Sequence, residues 1–227
     1  MAVKLASGQS APAELFIWTD IDPQHDKDFN QWYEQEHMLE RVRIPGFVWA
    51  RRYRAVQAER QYLALYRTQQ LAVFNSAAYQ QAFQHQTQWS LQNFERMQNT
   101  MRRVMTSTLF GAAVGTGAAL ALVALSTTEQ AIQAAQWGLE HAADLQSVVS
   151  MRVLLPDPQL STPLPSEPTE GRVLQPFFVL EATDTQAVQQ AAQQLGQSLG
   201  LSAQAISVFQ LLWELRAADL PTEAADS

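Results

Sequence analysis

The run Phe29-Asn30-Gln31-Trp32-Tyr33-Glu34-Gln35-Glu36-His37-Met38-Leu39-Glu40-Arg41 sets a carboxylate and an imidazole side by side among aromatic residues. At about 100° per residue, Phe29, Trp32, Tyr33, Glu36, Leu39 and Glu40 share one helix face, with His37 on its flank. Glu36 then falls in an aromatic stripe. A carboxylate there must be paired, hydrogen-bonded or protonated, because burying it bare is too unfavourable. A carboxyl or imidazole so placed can move a proton to or from a small substrate, which makes His37 and Glu36 the catalytic candidates. The plainer alternatives are an internal ion pair between Glu36 and an arginine, and a His37 that is satisfied or simply exposed.

Alternation along Phe47-Val48-Trp49-Ala50-Arg51-Arg52-Tyr53-Arg54 puts Phe47, Trp49, Arg51 and Tyr53 on one strand face and Val48, Ala50, Arg52 and Arg54 on the other. An arginine flanked by Trp and Tyr suits an anionic or aromatic ligand. The next strand offers Tyr62, Ala64 and Tyr66 together, and His85 and Trp89 can line the same mouth. The candidate ligand-binding set is therefore Tyr33, Arg41, Trp49, Arg51, Tyr53, Tyr66, His85 and Trp89. The histidines at 25, 37, 85 and 141 have no His-x-x-His or His-x-x-x-His spacing, so no metal site is expected. A single neutral histidine can hold a haem axially, which spacing does not exclude. There is no Gly-x-Ser-x-Gly elbow and no dinucleotide fingerprint, and the glycines at 111–117 are not followed by Gly-Lys-[Ser/Thr].

Composition narrows the class. Of 227 residues, 47% are hydrophobic and 16% charged, enough apolar material for a core and too much for a disordered chain. With no cysteine, a disulfide scaffold, a Cys-ligated zinc and a thiol nucleophile are excluded. The net charge of −7 argues against nucleic acid as a partner. Residues 14–110 hold eleven Lys/Arg against ten Asp/Glu, and residues 111–227 three against twelve. Ten of the thirteen arginines lie between Arg41 and Arg103, so an anionic ligand belongs to the first half. Met1–Pro12 has no apolar core and reads as a disordered tail, not a secretory signal. Val104–Thr128 carries no charge, yet its Ser, Thr and glycines favour strand, turn, strand over a membrane span. A cytoplasmic protein away from membranes is expected.

The elements that must position these residues come in one order twice. In the first half, Glu14–Ile21 is a strand, Asp22-Pro23 opens a helix reaching about Glu40, and Phe47–Val56 and Gln61–Thr68 are strands. Helical segments follow at Ala72–Gln84 and Gln88–Asn99, then a strand to Phe110. In the second, strands at Ala118–Leu125, Ser147–Leu155, Val173–Ala182 and Ala205–Leu215 enclose helices starting at Thr127 and Asp184, with five prolines between Pro156 and Pro168. The expectation is an α+β chain of two ferredoxin-like βαββαβ units, at 13–115 and 116–216, with an acidic, disordered tail at 217–227.

The run Phe29-Asn30-x-Trp32-Tyr33-x-x-Glu36-His37, then Arg41, Pro45-Gly46-Phe47 and Arg51-Arg52-Tyr53, resembles the dimeric α+β barrel superfamily, nearest its EthD-like and uncharacterised members. The likeness covers residues 14–110; the second half follows by element order. It implies two ferredoxin-like sheets closed into a barrel, here within one chain, with a pocket between sheet and helices. Members include cofactor-free monooxygenases, cyclases, lactone isomerases and haem-dependent enzymes, so the resemblance implies a pocket more than a reaction. A small carboxylate- or enolate-bearing ligand is the expected partner, with no cofactor or, alternatively, a haem; a non-catalytic binding protein is the competing class. Both monomer and homodimer fit. In the second half, Trp137-Gly138-Leu139-Glu140-His141 has one residue fewer between Trp and Glu-His, a shift of about 100° on a helix. One functional pocket and one degenerate unit are expected.

Overall fold

The computed structural model describes residues 3–110, 115–165, 167 and 169–221. Eight antiparallel strands close into a barrel in the order β1-β3-β2-β8-β5-β7-β6-β4. The strands are β1 (Ala13–Ile21), β2 (Phe47–Gln57), β3 (Tyr62–Thr68), β4 (Met97–Phe110), β5 (Ala119–Ala124), β6 (Val148–Pro156), β7 (Phe177–Ala182) and β8 (Ile206–Arg216). The first four lie in the order β4-β1-β3-β2 and the last four in the matching order β8-β5-β7-β6. The sets join where β4 pairs with β6 and β8 with β2. Closure leaves no free sheet edge along the ring.

Period-two alternation divides each strand between two environments. Phe16, Trp18, Tyr53, Leu63, Leu65, Met105, Leu120, Leu122, Leu154, Phe177, Val179 and Phe209 fill the barrel interior. Outward-facing Leu15, Ile17, Ala50, Tyr62, Tyr66 and Val104 pack under the first-half helices. The second-half sheet packs under α5 (Thr128–His141) and α6 (Thr185–Ser198). Alanines and a glycine bring α5 close: a Cβ on Gly138 would stand 3.0 Å from the Phe178 ring. Thr127 and Asp184 cap these helices as expected, accepting from the Gln130 and Ala187 amides.

Several boundaries differ from the sequence reading. The helix expected through Asn99 ends at Arg96; Met97 already pairs with Ile21, and Asn99, at φ +49, marks the irregular start of β4. The segment read as one helix from Ala72 is a 3-10 turn at Leu71–Asn75 followed by α3 (Ala77–Gln84), because Ser76 is extended and caps the Tyr79 amide. Residues 3–12, read as a tail, run along the barrel: the Ala6 amide donates to Thr108 Oγ1 at 2.6 Å, and the Leu71 and Ser107 amides donate to the carbonyls of Ala11 and Pro12. Part of the expected glycine turn, 111–114, and the acidic end, 222–227, lie outside the described residues. Among the described residues no helix is long and apolar enough to cross a membrane.

Candidate active site

The informative helix is continuous over 26–42 but not uniform. α1 (Asp26–Trp32) passes through a π-helical turn at Tyr33–His37 into α2 (Met38–Val42), and the Met38 amide donates to the carbonyl of Tyr33, five residues back. That turn takes up one extra residue and rotates everything after it by one position. Phe29, Trp32 and Tyr33 are buried as expected, but His37, Met38, Arg41 and Val42 follow them inward. Glu36, Leu39 and Glu40 are half-buried at the rim. The expected order is thus reversed: His37 is 5% exposed, and Glu36 is displaced to the flank.

Among the described residues Glu36 has no ion-pair partner. It accepts hydrogen bonds from Thr87 Oγ1 at 2.5 Å and Ser90 Oγ at 3.3 Å, where α4 (Gln88–Arg96) begins, and Ser90 Oγ in turn accepts from Trp32 Nε1. The turn also accounts for the unequal spacing in the two halves. Trp32 and His37 lie with ring centroids 4.3 Å apart across the π-turn, while Trp137 and His141, one residue closer in sequence, lie 4.8 Å apart on a regular helix. The expected rotation of His141 away from its Trp is therefore absent.

His37 lines a small inner chamber of about 40 Å³ with Tyr33, Tyr66, Arg41, Arg102 and Phe94. Next to it is an apolar cleft of about 500 Å³, which shares Arg41, Phe83, Phe94 and Leu164 with the chamber. Leu164 and Pro165 come from the β6–β7 loop, so the second half of the chain supplies one wall. Arg102 straps that loop down through the Leu160 and Thr162 carbonyls at 2.9 and 3.0 Å and reaches Tyr79 OH at 3.1 Å.

The charge around the chamber is one-sided. Arg41, Arg52 and Arg102 are each at most 5% exposed, and none forms an ion pair with a described carboxylate. Arg41 donates to Gln86 Oε1 at 2.9 Å. Arg52 donates to Asn30 Oδ1 at 3.0 Å and stacks 3.8 Å over the Tyr33 ring, and its Nε and Nη2 have no partner. His37 Nδ1 is also unpartnered, and the Tyr66 hydroxyl has the Tyr33 phenol as its polar neighbour. Burial, reinforced by Arg41 and Arg52, drives the His37 pKa well below its ordinary value, so the ring is neutral at pH 7. Burial likewise raises Tyr33 and Tyr66, which stay protonated. The chamber thus presents a neutral imidazole, phenol hydroxyls and buried cations without counter-ions among the described residues.

The other sequence candidates lie elsewhere. Trp49, Arg51 and Tyr53 face into the barrel, because β2 pairs with β3 so that Arg52 opposes Ala64 and Ala50 opposes Tyr66. His85 is exposed, with Nδ1 on the Gln81 carbonyl at 3.0 Å. Trp89 is half-buried and donates to Asp28 at 3.2 Å. Of the ten candidates, Tyr33, His37, Arg41 and Tyr66 converge. Arg52, Arg102, Phe83 and Phe94 were missed; the alternation that placed Arg52 opposite Arg51 was the one available signal. A haem does not fit: His37 opens on a chamber of about 40 Å³, and the larger cleft has no His, Tyr, Met or Cys on its walls.

A π-turn persists where it serves a site. Deleting exposed Gln35 should relax it to a regular helix that keeps both buried faces inward. Thermal unfolding should then be unchanged or higher, while pocket binding is lost; a variant that unfolds, or that binds like the parent, would show that the turn is not kept for the pocket.

No family model and no curated protein matches the sequence. Solved structures do match by shape. An anthrone oxidase-like protein superposes with a TM-score of 0.61 at 12% identity, over 95% of this chain and 97% of its own. A presumed monooxygenase from Lactobacillus acidophilus gives 0.57 at 6% identity, over 91% and 97%. Another from Fusobacterium nucleatum gives 0.54 at 8%, over 91% and 95%. The chain shares the overall fold of these proteins, with its eight-stranded barrel closed inside one polypeptide.

Proposed function

We propose that this is a small-molecule enzyme performing acid–base chemistry on an enol- or phenol-bearing aromatic substrate in the His37 chamber. The observation that carries the reading is the set of three buried arginines with no carboxylate partner among the described residues, around a neutral, buried histidine. An uncompensated buried cation is unfavourable until an anion arrives. The apolar cleft receives the flat body of the substrate, and its acidic oxygen enters the chamber, which has room for about one water-sized group. His37 accepts the proton at a ring nitrogen, and the enolate or phenolate that forms is held by Arg41, with the Tyr66 hydroxyl as a donor and Arg52, stacked behind Tyr33, adding its field. Imidazolium is disfavoured in the empty chamber by the arginines; the new anion offsets their field.

Proton abstraction of this kind is common to cofactor-independent monooxygenases, cyclases and isomerases, and the monooxygenase and anthrone oxidase-like neighbours support a small-molecule enzyme. Glu36 serves as a positioning residue, tying the π-turn to α4 through Thr87 and Ser90. Within the superfamily the first-half motif is nearest the EthD-like members. The matching strand orders and the two Trp–His ring pairs support an internal duplication in which unit 13–115 carries the pocket and unit 116–216 is structural.

2-Naphthol tests the reading, because its anion absorbs at longer wavelength than its acid. The wild-type protein should bind it as naphtholate near neutral pH, and His37→Gln should leave it neutral and weaken binding. Binding as neutral naphthol in both, or equal ionisation in both, would leave non-catalytic binding as the better account.

A further inference from the structure

The arginines that face away from the His37 chamber make a second arrangement, at one end of the barrel. Each strand contributes there from the end that reaches this rim: Glu14 from β1, Arg67 from β3, Arg51 from β2, Glu214 from β8, Glu181 from β7, Arg152 from β6 and Ser107 from β4, with Thr116 just before β5. Glu14 pairs with Arg67 at 3.0 Å and Arg152 at 2.9 Å. Glu181 pairs with Arg51 at 2.9 Å and with Arg152. Glu214 pairs with Arg51 and Arg216 and accepts from Thr116 Oγ1 at 2.8 Å. Three arginines and three glutamates balance within the ring, and Arg216 at its edge adds one positive charge.

Over this ring opens a cleft of about 420 Å³. Four buried polar atoms of the ring region make no hydrogen bond of good geometry: Glu14 Oε2, Tyr53 OH, Arg152 Nη2 and Arg152 Nε, the last held at ion-pair distance from Glu14. Of their residues only Arg152, 2% exposed, is on the cleft wall. Ser150, one alternation before it on β6, lines the same cleft. Opposite stands Trp49, with the Arg51 guanidinium 4.0 Å from its ring centroid on one side; Val48 and Leu109, both exposed, extend the apolar side.

We propose that this barrel mouth is a second ligand site, separate from the His37 chamber, that takes a small monocarboxylate with a flat apolar body. The carboxylate accepts from Arg152 Nη2 and Ser150 Oγ, and the body lies against Trp49. The two sites sit back to back across one sheet. Tyr66 lines the chamber and Arg52 stacks on Tyr33 on that same side, while their chain neighbours Arg67 and Arg51 face the mouth.

Benzoate is the probe, with tryptophan fluorescence as the readout. Arg152→Met is the obvious variant, but Arg152 also holds the ring, and its loss risks the fold. Ser150→Ala and Trp49→Phe therefore decide. Wild type and His37→Gln should show the same saturable change, Ser150→Ala should weaken it about fivefold, and Trp49→Phe should abolish the signal. A change lost in His37→Gln would place benzoate in the other pocket. A change that survives Trp49→Phe, one indifferent to Ser150→Ala, or none that saturates would each overturn the proposal.

Discussion

Glu181→Gln should destabilise the protein by about 3–5 kcal/mol, the range for breaking a buried ion pair by removing one partner. Glu181 is fully buried on β7. Its two oxygens receive Arg51 Nη1 at 2.9 and 3.0 Å, an ion pair from Arg152, and the Gly117 amide at 3.2 Å. Glutamine keeps the shape and one acceptor oxygen but removes the charge, leaving Arg51 and Arg152 with less compensation inside the barrel. Glu214→Gln is the control. That carboxylate is more exposed, and its partner Arg216 is half-exposed, so about 1 kcal/mol is expected there. Urea denaturation of the three proteins measures both. A Glu181→Gln loss no larger than that of Glu214→Gln would mean that the ring tolerates missing charge, as a water-filled mouth would.

The fold was legible because strand periodicity and helix caps are local signals. Thr127, Asp184 and Asp22 accept amide hydrogen bonds where the sequence places them, and each four-strand set follows the expected element order. The site was half legible, for two physical reasons. Alternation along β2 correctly separates Arg51 from Arg52, but which of them meets Tyr66 depends on strand register, set by pairing to β3. The Trp-Arg-Tyr face was therefore assigned to the pocket when it faces the barrel interior. The π-turn is the second reason. A helical wheel drawn at constant period carries the buried face onto Glu36 and Glu40, whereas the extra residue carries it onto His37 and Arg41. The one-residue mismatch with Trp137–His141 was the visible trace of that turn. The β6–β7 loop wall was out of reach, since Leu164 joins Phe94 only through tertiary packing.

Acidification should reveal His37 directly. Its folded pKa lies well below the ordinary value of 6.5, with burial as the main cause and Arg41 and Arg52 adding to it. Between that ordinary value and the depressed one, the unfolded chain binds a proton that the folded protein does not. Stability therefore falls as pH falls through this window, by about 1.4 kcal/mol per pH unit at most. From pH 7 to 5 the wild type should lose more stability than His37→Gln, which has no proton to refuse. Other groups act differently. Desolvation raises the Glu14 and Glu214 carboxyls, but Arg152 and Arg67 around Glu14, and Thr116, Arg216 and Arg51 around Glu214, hold both below their ordinary value, so their loss of stability comes at lower pH. The Glu40 carboxyl is raised by burial and Glu36, so it contributes with the opposite sign, equally in both proteins. Urea denaturation of both proteins at the two pH values isolates the difference. Parallel losses would show that His37 takes up a proton as readily folded as unfolded, and with that the desolvated, arginine-flanked setting argued for this ring would be gone.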